Sequence, residues 1–219
     1  MYKACIFDLD GTLADTLESI AHCSNEALER VGLPPQEVNS YKQYAGDGYL
    51  VLLRRCLEAA GDEDLSKFED MKAAYNEIFA KDCMYHVAPF EGMEDLMKNL
   101  KENGIKTAVL SNKPDKATKE VVGNIFKEGS FDYVQGLHEK IKRKPDPNGA
   151  LKIAKAFGLE PKECVYVGDT DTDMKTGNSA GMFTIGVTWG FRSEEELKAY
   201  NAHAIVKEAS EIFHFFEKR

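Results

Sequence analysis

The sequence is best interpreted from Phe7-Asp8-Leu9-Asp10-Gly11-Thr12, a stretch near its start. This stretch follows a short apolar run, Ala4-Cys5-Ile6-Phe7, whose length suits a buried strand better than a helix. Asp8 is therefore expected where a strand ends, and Gly11 lets the chain turn away sharply. Side chains two residues apart on an extended backbone share a face, which predicts that Asp8 and Asp10 lie roughly 6–7 Å apart at their roots.

Two carboxylates this close raise each other's pKa unless a cation lies between them, so a divalent metal ion is expected at Asp8 and Asp10. The alternative is that one aspartate caps a following helix while the other is solvated. The stretch alone leaves both interpretations open, and the rest of the chain has to decide.

The overall charge is acidic, with 28 Lys and Arg residues against 37 Asp and Glu residues and a net charge of -9. No basic cluster is visible, which argues against nucleic acid or an anionic membrane as the main partner. An anionic substrate then needs a local positive site.

The five cysteines are scattered, odd in number and without C-x-x-C spacing, which disfavours a disulfide framework or a zinc site. A reducing cytoplasm suits such a chain. The first residues enter a strand directly and no apolar run approaches the ~18 residues that span a bilayer, so neither a signal peptide nor a membrane anchor is expected.

Two patterns divide the chain. Apolar residues recur at helical spacing from Leu17 to Val31 and again from Asp47 to about Met84, and no convincing strand lies between Asp15 and Val87. After Pro89-Phe90-Glu91-Gly92, strands and helices alternate instead. The expected later strands are Lys106–Leu110, Phe131–Val134, Val165–Val167, Phe183–Val187 and Ala204–Val206.

This alternation predicts an α/β fold, a doubly wound, Rossmann-like parallel sheet with right-handed crossovers. The expected organisation is an α/β core domain of residues 1–14 and 88–219, with an all-helical domain of residues 15–87 inserted after the first strand. In such sheets ligands bind outside the carboxyl ends of the strands.

Polar groups fall at three of those strand ends. Asp8 and Asp10 follow the first strand, Ser111-Asn112-Lys113 follows the second, and Gly168-Asp169-Thr170-Asp171-Thr172-Asp173 follows a later one. One such ending is compatible with chance, but three ending on acids or hydroxyls indicate a single site.

Phosphoryl transfer fits these groups, because it needs an in-line nucleophile, a divalent cation, donors for the equatorial oxygens and an acid–base group. Asp8 can attack as a carboxylate to give an aspartyl-phosphate. Asp10 can protonate the leaving oxygen and later take a proton from the hydrolytic water. Ser111 offers its hydroxyl, and Asn112 its backbone N–H, to the phosphoryl oxygens.

Mg²⁺ prefers an octahedral shell of oxygens and keeps several waters, so Asp8, Asp169 and a backbone carbonyl near Asp10 are sufficient protein ligands. Asp173 is expected to support that shell. Lys144, in Arg143-Lys144-Pro145-Asp146-Pro147, supplies a fixed cation, since two prolines stiffen its approach. Taken alone, this segment is typical of a surface turn before a helix.

Other phosphate, metal and nucleophile motifs are excluded. The acidic run from Asp169 resembles the start of an EF-hand loop, but its sixth position is Met174 and its twelfth is Ala180. The sequence has no G-x-x-x-x-G-K-[ST], no G-x-G-x-x-G after the first strand and no G-x-S-x-G.

The four segments together resemble the motifs of the haloacid dehalogenase superfamily. Asp8-x-Asp10-Gly-Thr12 resembles its first motif, Ser111 its second, Lys144 its third, and Gly168-Asp169-x-x-x-Asp173 its fourth. A second acid two residues after the nucleophile implies a phosphatase rather than a dehalogenase. The resemblance also implies that the helical insertion is a C1 cap, with hinges at Asp15-Thr16 and near Val87-Ala88-Pro89.

Within the superfamily the chain looks most like phosphoglycolate phosphatases. The segments that carry this likeness are Tyr44–Gly48, Thr107–Lys113, Lys144–Pro147 and Val187–Arg192. The His and Arg pattern of β-phosphoglucomutase caps is not seen. Pyrophosphatases and sugar-phosphate phosphatases share the same core, so the identity of the substrate rests on the cap.

The expected function is a Mg²⁺-dependent phosphatase acting on a small phosphorylated metabolite, with 2-phosphoglycolate the leading candidate and a monomer or homodimer as the assembly. Pyrophosphatase, sugar-phosphate phosphatase and β-phosphoglucomutase-like activities are the alternatives, and a non-catalytic phosphate-binding regulatory module is the alternative from another class. Arg54 and Arg55 are cap residues that could reach a substrate carboxylate; the competing and favoured interpretation is that both are solvated helix charges.

Overall fold

The structure is a computed structural model that describes residues 1–217. The chain divides into two compact units: residues 1–15 with the segment from residue 89 onward, here called the α/β unit, and residues 16–88, here called the helical unit. No helix in the described part of the chain is long and apolar enough to cross a membrane.

The α/β unit is built on a six-stranded sheet in which every neighbouring pair is parallel. Its strands are β1 (Ala4–Phe7), β4 (Lys106–Pro114), β5 (Tyr133–Leu137), β6 (Cys164–Gly168), β7 (Phe183–Val187) and β8 (Ala204–Val206), with β2 (Ala14–Asp15) and β3 (Ala88–Pro89) as short strands outside that sheet.

The strand order is β5-β4-β1-β6-β7-β8. Counted along the six strands of the sheet, this is the 3-2-1-4-5-6 order of a doubly wound fold, which confirms the predicted fold class. All four residues of β1 are buried, as expected for a central parallel strand that is covered on both faces. The order places the end of β1 between the ends of β4 and β6, at the topological switch point.

Helices precede, connect or follow these strands. They are α5 (Met93–Glu102), α6 (Asp115–Ile125), α7 (Asn148–Ala156), α8 (Asp171–Ser179), α9 (Glu194–Ala199) and α10 (Ala209–Phe213), with a short 3₁₀ helix at Pro161–Glu163. Close approach to the sheet requires small residues: a Cβ at Gly149 of α7 would lie 2.7 Å from a methyl carbon of Leu110. One core cluster includes Ile6, Leu110, Ile153 and Tyr166.

The helical unit contains α1 (Leu17–Arg30), α2 (Tyr41–Tyr44), α3 (Tyr49–Ala59) and α4 (Phe68–Asp82), with a 3₁₀ helix at Val38–Ser40. Helix α4 packs against both α1 and α3. The apolar periodicity seen in the sequence corresponds to the buried faces of these helices, which include Leu28, Leu53, Leu57, Met71 and Ile78.

Several boundaries differ from the sequence-based expectation. Strand β4 runs to Pro114, so Ser111-Asn112-Lys113 lies in the last part of a strand rather than after it, where the pairing with β5 shifts register. Strand β5 begins at Tyr133, two residues later than expected. Helices α9 and α10 were not predicted, because each is too short for the apolar spacing to repeat.

Candidate active site

The ends of the central strands bring together charged side chains that are far apart in the sequence. Asp8 follows β1 directly, and its Oδ1 lies 2.7 Å from Nζ of Lys144. The same Nζ lies 2.8 Å from Oδ1 of Asp173, in the first turn of α8. All three side chains are buried. The lysine that the sequence analysis required is therefore placed between two of the predicted acids.

Asn112 fixes the backbone of Lys144 through a pair of hydrogen bonds. The N–H of Lys144 donates to Oδ1 of Asn112 at 2.9 Å, and Nδ2 of Asn112 donates to the carbonyl of Lys144 at 3.2 Å. The end of β4 thus holds the segment that carries the lysine.

Asp169 is held by two donors, one on each carboxylate oxygen. The hydroxyl of Thr12 donates to Oδ1 at 2.9 Å, and the backbone N–H of Phe191 donates to Oδ2 at 2.8 Å. A Cβ at Gly11 or at Gly190 would lie 2.3 or 2.4 Å from Oδ2 of Asp169. Only glycine leaves room for this carboxylate.

Asp173 is fixed by the capping box at the start of α8. Thr170 donates to Oδ2 of Asp173 from its backbone N–H at 3.1 Å and from its hydroxyl at 2.6 Å. A Cβ at Gly168 would lie 2.2 Å from the Cβ of Asp173, so the end of β6 must be glycine. The remaining oxygen of Asp173 is the one that binds Lys144.

Burial and charge act together on this group. Burial raises the pKa of Asp8 well above its ordinary value, Asp173 and Asp169 add to the rise, and Lys144 opposes it. Burial alone lowers the pKa of Lys144, but Asp173 and Asp8 outweigh it and raise that pKa. Burial and Asp173 raise the pKa of Asp169 to about 7. Asp173 and Asp169 thus raise the pKa of Asp8, and the sequence argument had not named either of them for this effect.

The donor set fits a divalent cation. Carboxylate oxygens of Asp8, Asp169 and Asp173 all lie within 4.8 Å of one another. Lys144 balances one of the three negative charges when all are ionised, and oxygen ligands of this kind suit Mg²⁺. Asp10, expected to contribute through a backbone carbonyl, directs its carboxylate to a different partner.

That partner is Lys113, whose Nζ lies 2.8 Å from Oδ1 of Asp10. The backbone N–H of Lys113 donates to the hydroxyl oxygen of Ser111 at 3.1 Å. The end of β4 therefore places Ser111 beside a lysine that contacts the proposed acid–base residue. No role for Lys113 was predicted from the sequence.

The cap candidates Arg54 and Arg55 lie on α3 of the helical unit and both contact residues of that unit. The guanidinium of Arg54 lies 5.2 Å from the ring centroid of Phe68. Arg55 forms an ion pair with Asp47 at 2.7 Å and donates to the carbonyl of Tyr44 at 3.0 Å.

Sequence reasoning missed several residues that shape the site. Thr12 belongs to the opening stretch, and Gly190 and Phe191 belong to a segment quoted only for its family likeness. Thr170, followed three residues later by Asp173, has the spacing of a capping box. That spacing could have identified Thr170 both as the N-cap residue of α8 and as a hydrogen-bond donor to Asp173. The hydrogen bonds from Thr12 and Phe191 to Asp169 could not be predicted from the sequence, because they join segments that are distant along the chain.

Comparisons with known proteins identify the family of the chain. Residues 5–187 match the family model of haloacid dehalogenase-like hydrolases. A similar crystal structure is that of a protein from Lactobacillus delbrueckii subsp. bulgaricus, provisionally described as a phosphoglycolate phosphatase. Its TM-score is 0.92 and its sequence identity is 33%, and the match covers 100% of this chain and 99% of the other chain.

Two curated relatives are phosphatases of different substrates. The phosphoglycolate phosphatase of Aquifex aeolicus is 30% identical over 190 residues, which cover 86% of this chain and 86% of the relative. The N-acetylmuramic acid 6-phosphate phosphatase of Pseudomonas putida is 29% identical over 213 residues, which cover 96% of this chain and 94% of the relative. The chain thus belongs to the haloacid dehalogenase-like hydrolases, and within them it is a phosphoglycolate phosphatase-like enzyme.

Proposed function

We propose that the enzyme is a Mg²⁺-dependent phosphomonoesterase that works through an aspartyl-phosphate on Asp8, with 2-phosphoglycolate as its substrate. The observation that carries the proposal is the buried cluster in which Lys144 contacts both Asp8 and Asp173 while Asp169 lies within the same group of oxygens. A carboxylate, a fixed ammonium and a place for a divalent cation are what phosphoryl transfer to an enzyme group requires.

The proposed reaction has two steps. A carboxylate oxygen of Asp8 attacks phosphorus, the bond from phosphorus to the ester oxygen breaks, and Asp10 gives a proton to that departing oxygen. Asp10 then takes a proton from a water molecule, which attacks phosphorus and releases inorganic phosphate from Asp8. Each residue returns to its starting state, so the cycle needs no further reactant.

Mg²⁺ would be held by Asp8, Asp169 and a backbone carbonyl near Asp10, with Asp173 in support, and when bound it supplies positive charge against the phosphoryl oxygens. Ser111, through its hydroxyl, and Asn112, through its backbone N–H, are the proposed donors to those oxygens. Lys144 adds a fixed charge that is already in place before substrate arrives.

We assign the helical unit the role of a cap, corresponding to residues 15–87 of the sequence analysis, with hinges at Asp15-Thr16 and around Val87–Pro89. The support is topological: the chain leaves the α/β unit once, after residue 15, and re-enters it once, at residue 89. Five buried, unbridged cysteines suit the reducing cytoplasm as its place of action.

A sugar phosphate is the second candidate substrate. It is favoured by one observation, the likeness over nearly the whole chain to an N-acetylmuramic acid 6-phosphate phosphatase. Phosphoglycolate is preferred because the Aquifex aeolicus relative, at 30% identity, and the Lactobacillus delbrueckii structure, at a TM-score of 0.92, both carry that description.

Phosphate release from 2-phosphoglycolate and from a panel of sugar phosphates, with Mg²⁺ or with EDTA, tests the proposal. We expect Asp8→Asn to lower kcat by at least about 10³-fold, because the amide cannot form the aspartyl-phosphate. Asp10→Asn should lower kcat by roughly 10²–10⁴-fold and leave phospho-enzyme detectable after an acid quench, because its hydrolysis is slowed.

Asp171→Asn is the matched control, since it makes the same change beside the site at a residue that pairs with Lys175 on the outer face of α8. It should retain activity. If Asp8→Asn retained most of the activity, Asp8 would not be the nucleophile. Turnover that is unchanged in EDTA would contradict the proposed requirement for Mg²⁺.

A further inference from the structure

Lys113 is a buried lysine that the proposed reaction does not use. Its side chain is 6% exposed, and its Nζ lies 2.8 Å from Oδ1 of Asp10, whose side chain is 18% exposed. Burying an ammonium is costly unless it is paired, so the position of Lys113 is tied to that of Asp10. The ion pair joins residues 103 positions apart, one after β1 and one near the end of β4.

The two buried lysines of the site have different surroundings. Lys144 lies between two carboxylates, Asp8 and Asp173, at 2.7 and 2.8 Å. Lys113 contacts the carboxylate of Asp10, the residue proposed to protonate the ester oxygen. An ammonium has three N–H donors, so a contact with Asp10 is compatible with a second contact to a substrate anion.

Reaction geometry limits which substrate group can reach Lys113. To give up its proton, the Asp10 carboxyl must come within about 2.6–3.2 Å of the ester oxygen. Lys113 is within hydrogen-bonding distance of the same carboxyl group. A substrate anion near Lys113 must therefore lie only a few bonds from the ester oxygen. In the phosphate ester of a 2-hydroxy acid, the carboxylate is attached to the carbon that carries that oxygen.

We propose that Lys113 binds the carboxylate of the substrate and thereby selects phosphate esters of 2-hydroxy carboxylic acids, of which 2-phosphoglycolate is the smallest. The proposal rests on the proposed function, because it takes Asp10 as the group beside the ester oxygen. The chain has a net charge of -9, so it needs a local cation such as Lys113 to bind a substrate with two anionic groups.

The test compares 2-phosphoglycolate with ethyl phosphate, a two-carbon ester in which a methyl group replaces the carboxylate. The readout is the ratio of kcat/KM for the two substrates, measured with Mg²⁺ on wild type, Lys113→Met and Lys113→Arg. Both values come from one protein sample, so the ratio does not depend on how much of a variant is folded. Lys116→Met, on the exposed face of α6, is the control with the same change of charge.

We expect Lys113→Met to reduce the preference for 2-phosphoglycolate by about 10- to 100-fold, the range for losing a hydrogen bond to a charged group. Lys113→Arg should keep a larger share of the preference, and Lys116→Met should keep all of it. Equal losses on both substrates would overturn the proposal, because Lys113 would then act only through Asp10.

Two results in the wild type separate this inference from the proposed function. Efficient hydrolysis of both substrates without preference would overturn the role of Lys113 and leave the phosphomonoesterase intact. No hydrolysis of either substrate, or of the sugar phosphates, would remove the proposed function and this inference with it.

Discussion

The α/β unit and the helical unit use their charged residues in different ways. In the α/β unit, Lys144, Asp8 and Asp173 are buried and paired across long stretches of sequence. In the helical unit, the ion pairs Arg30–Glu77 and Lys72–Glu69 lie on exposed or partly exposed side chains. Exposed pairs contribute about 0–1 kcal/mol, whereas a buried pair loses several kcal/mol of hydration and must be well satisfied to persist.

Buried and paired charges indicate where chemistry is expected. A cluster of buried acids held beside a lysine is costly for folding alone, and perturbed pKa values of this kind concentrate at functional sites. The α/β unit carries such a cluster, while the charges of the helical unit named above serve local structure. Three changes test the comparison, in order of decreasing effect.

Lys144→Met should have the largest effect on stability. The substitution leaves Asp8 and Asp173 in a buried site without the ammonium group that pairs with both. Removing one partner of a buried ion pair lowers stability by about 3–5 kcal/mol. We expect this loss in the free energy of unfolding measured with urea in EDTA, together with loss of phosphatase activity.

Lys142→Met is the matched control for that experiment. Lys142 lies two residues away, and its exposed side chain pairs with Asp146 at 3.4 Å. Its replacement should cost less than about 1 kcal/mol. If Lys144→Met were as stable as Lys142→Met, the contrast between buried and exposed charge in this loop would not hold.

The sequence was informative wherever a local pattern had a physical cause. Strand β1 reads as a continuous apolar run because both faces of a central parallel strand are buried. The proximity of Lys144 to Asp8 could be anticipated because the strand ends of a doubly wound sheet meet at one edge, whereas the roles of the two residues stay predictions. The contact between Lys144 and Asp8 follows from that topology, even though no local signal connects them.

Other features of the site could not be predicted from any local sequence pattern. The ion pair between Lys113 and Asp10 depends on the order of β1 and β4 in the sheet and on the register shift near the end of β4. The same limit explains why Asp173 and Asp169 were not predicted to raise the pKa of Asp8: the fold, not proximity along the chain, brings them to it.

The pH dependence of stability should reveal the buried acids, with an intermediate effect. Burial and Asp173 raise the pKa of Asp169 from 3.8 to about 7. The folded state therefore keeps a proton that the unfolded state has lost, and the stability that this group contributes is lost as the pH rises through about 7. Asp8, whose pKa is also raised by burial, acts in the same direction.

We expect the free energy of unfolding in EDTA to fall by about 2 kcal/mol between about pH 5.5 and 8, and Mg²⁺ at about pH 8 to restore stability because it binds the ionised carboxylates. Asp169→Asn should flatten the fall. Identical pH profiles for wild type and Asp169→Asn would show that other groups cause it.

Arg55→Met, in the helical unit, should have the smallest effect. Arg55 is partly exposed and is engaged by Asp47 and by the carbonyl of Tyr44, so its loss should lower stability by about 1 kcal/mol or less. If these contacts are its role, the KM for 2-phosphoglycolate stays close to the wild-type value. The same is expected of Arg54→Met, which loses the contact with Phe68. A selective rise in KM for 2-phosphoglycolate over ethyl phosphate in Arg55→Met would instead place carboxylate recognition in the helical unit. Comparing Arg55→Met with Lys113→Met therefore decides which of the two units binds the carboxylate of the substrate.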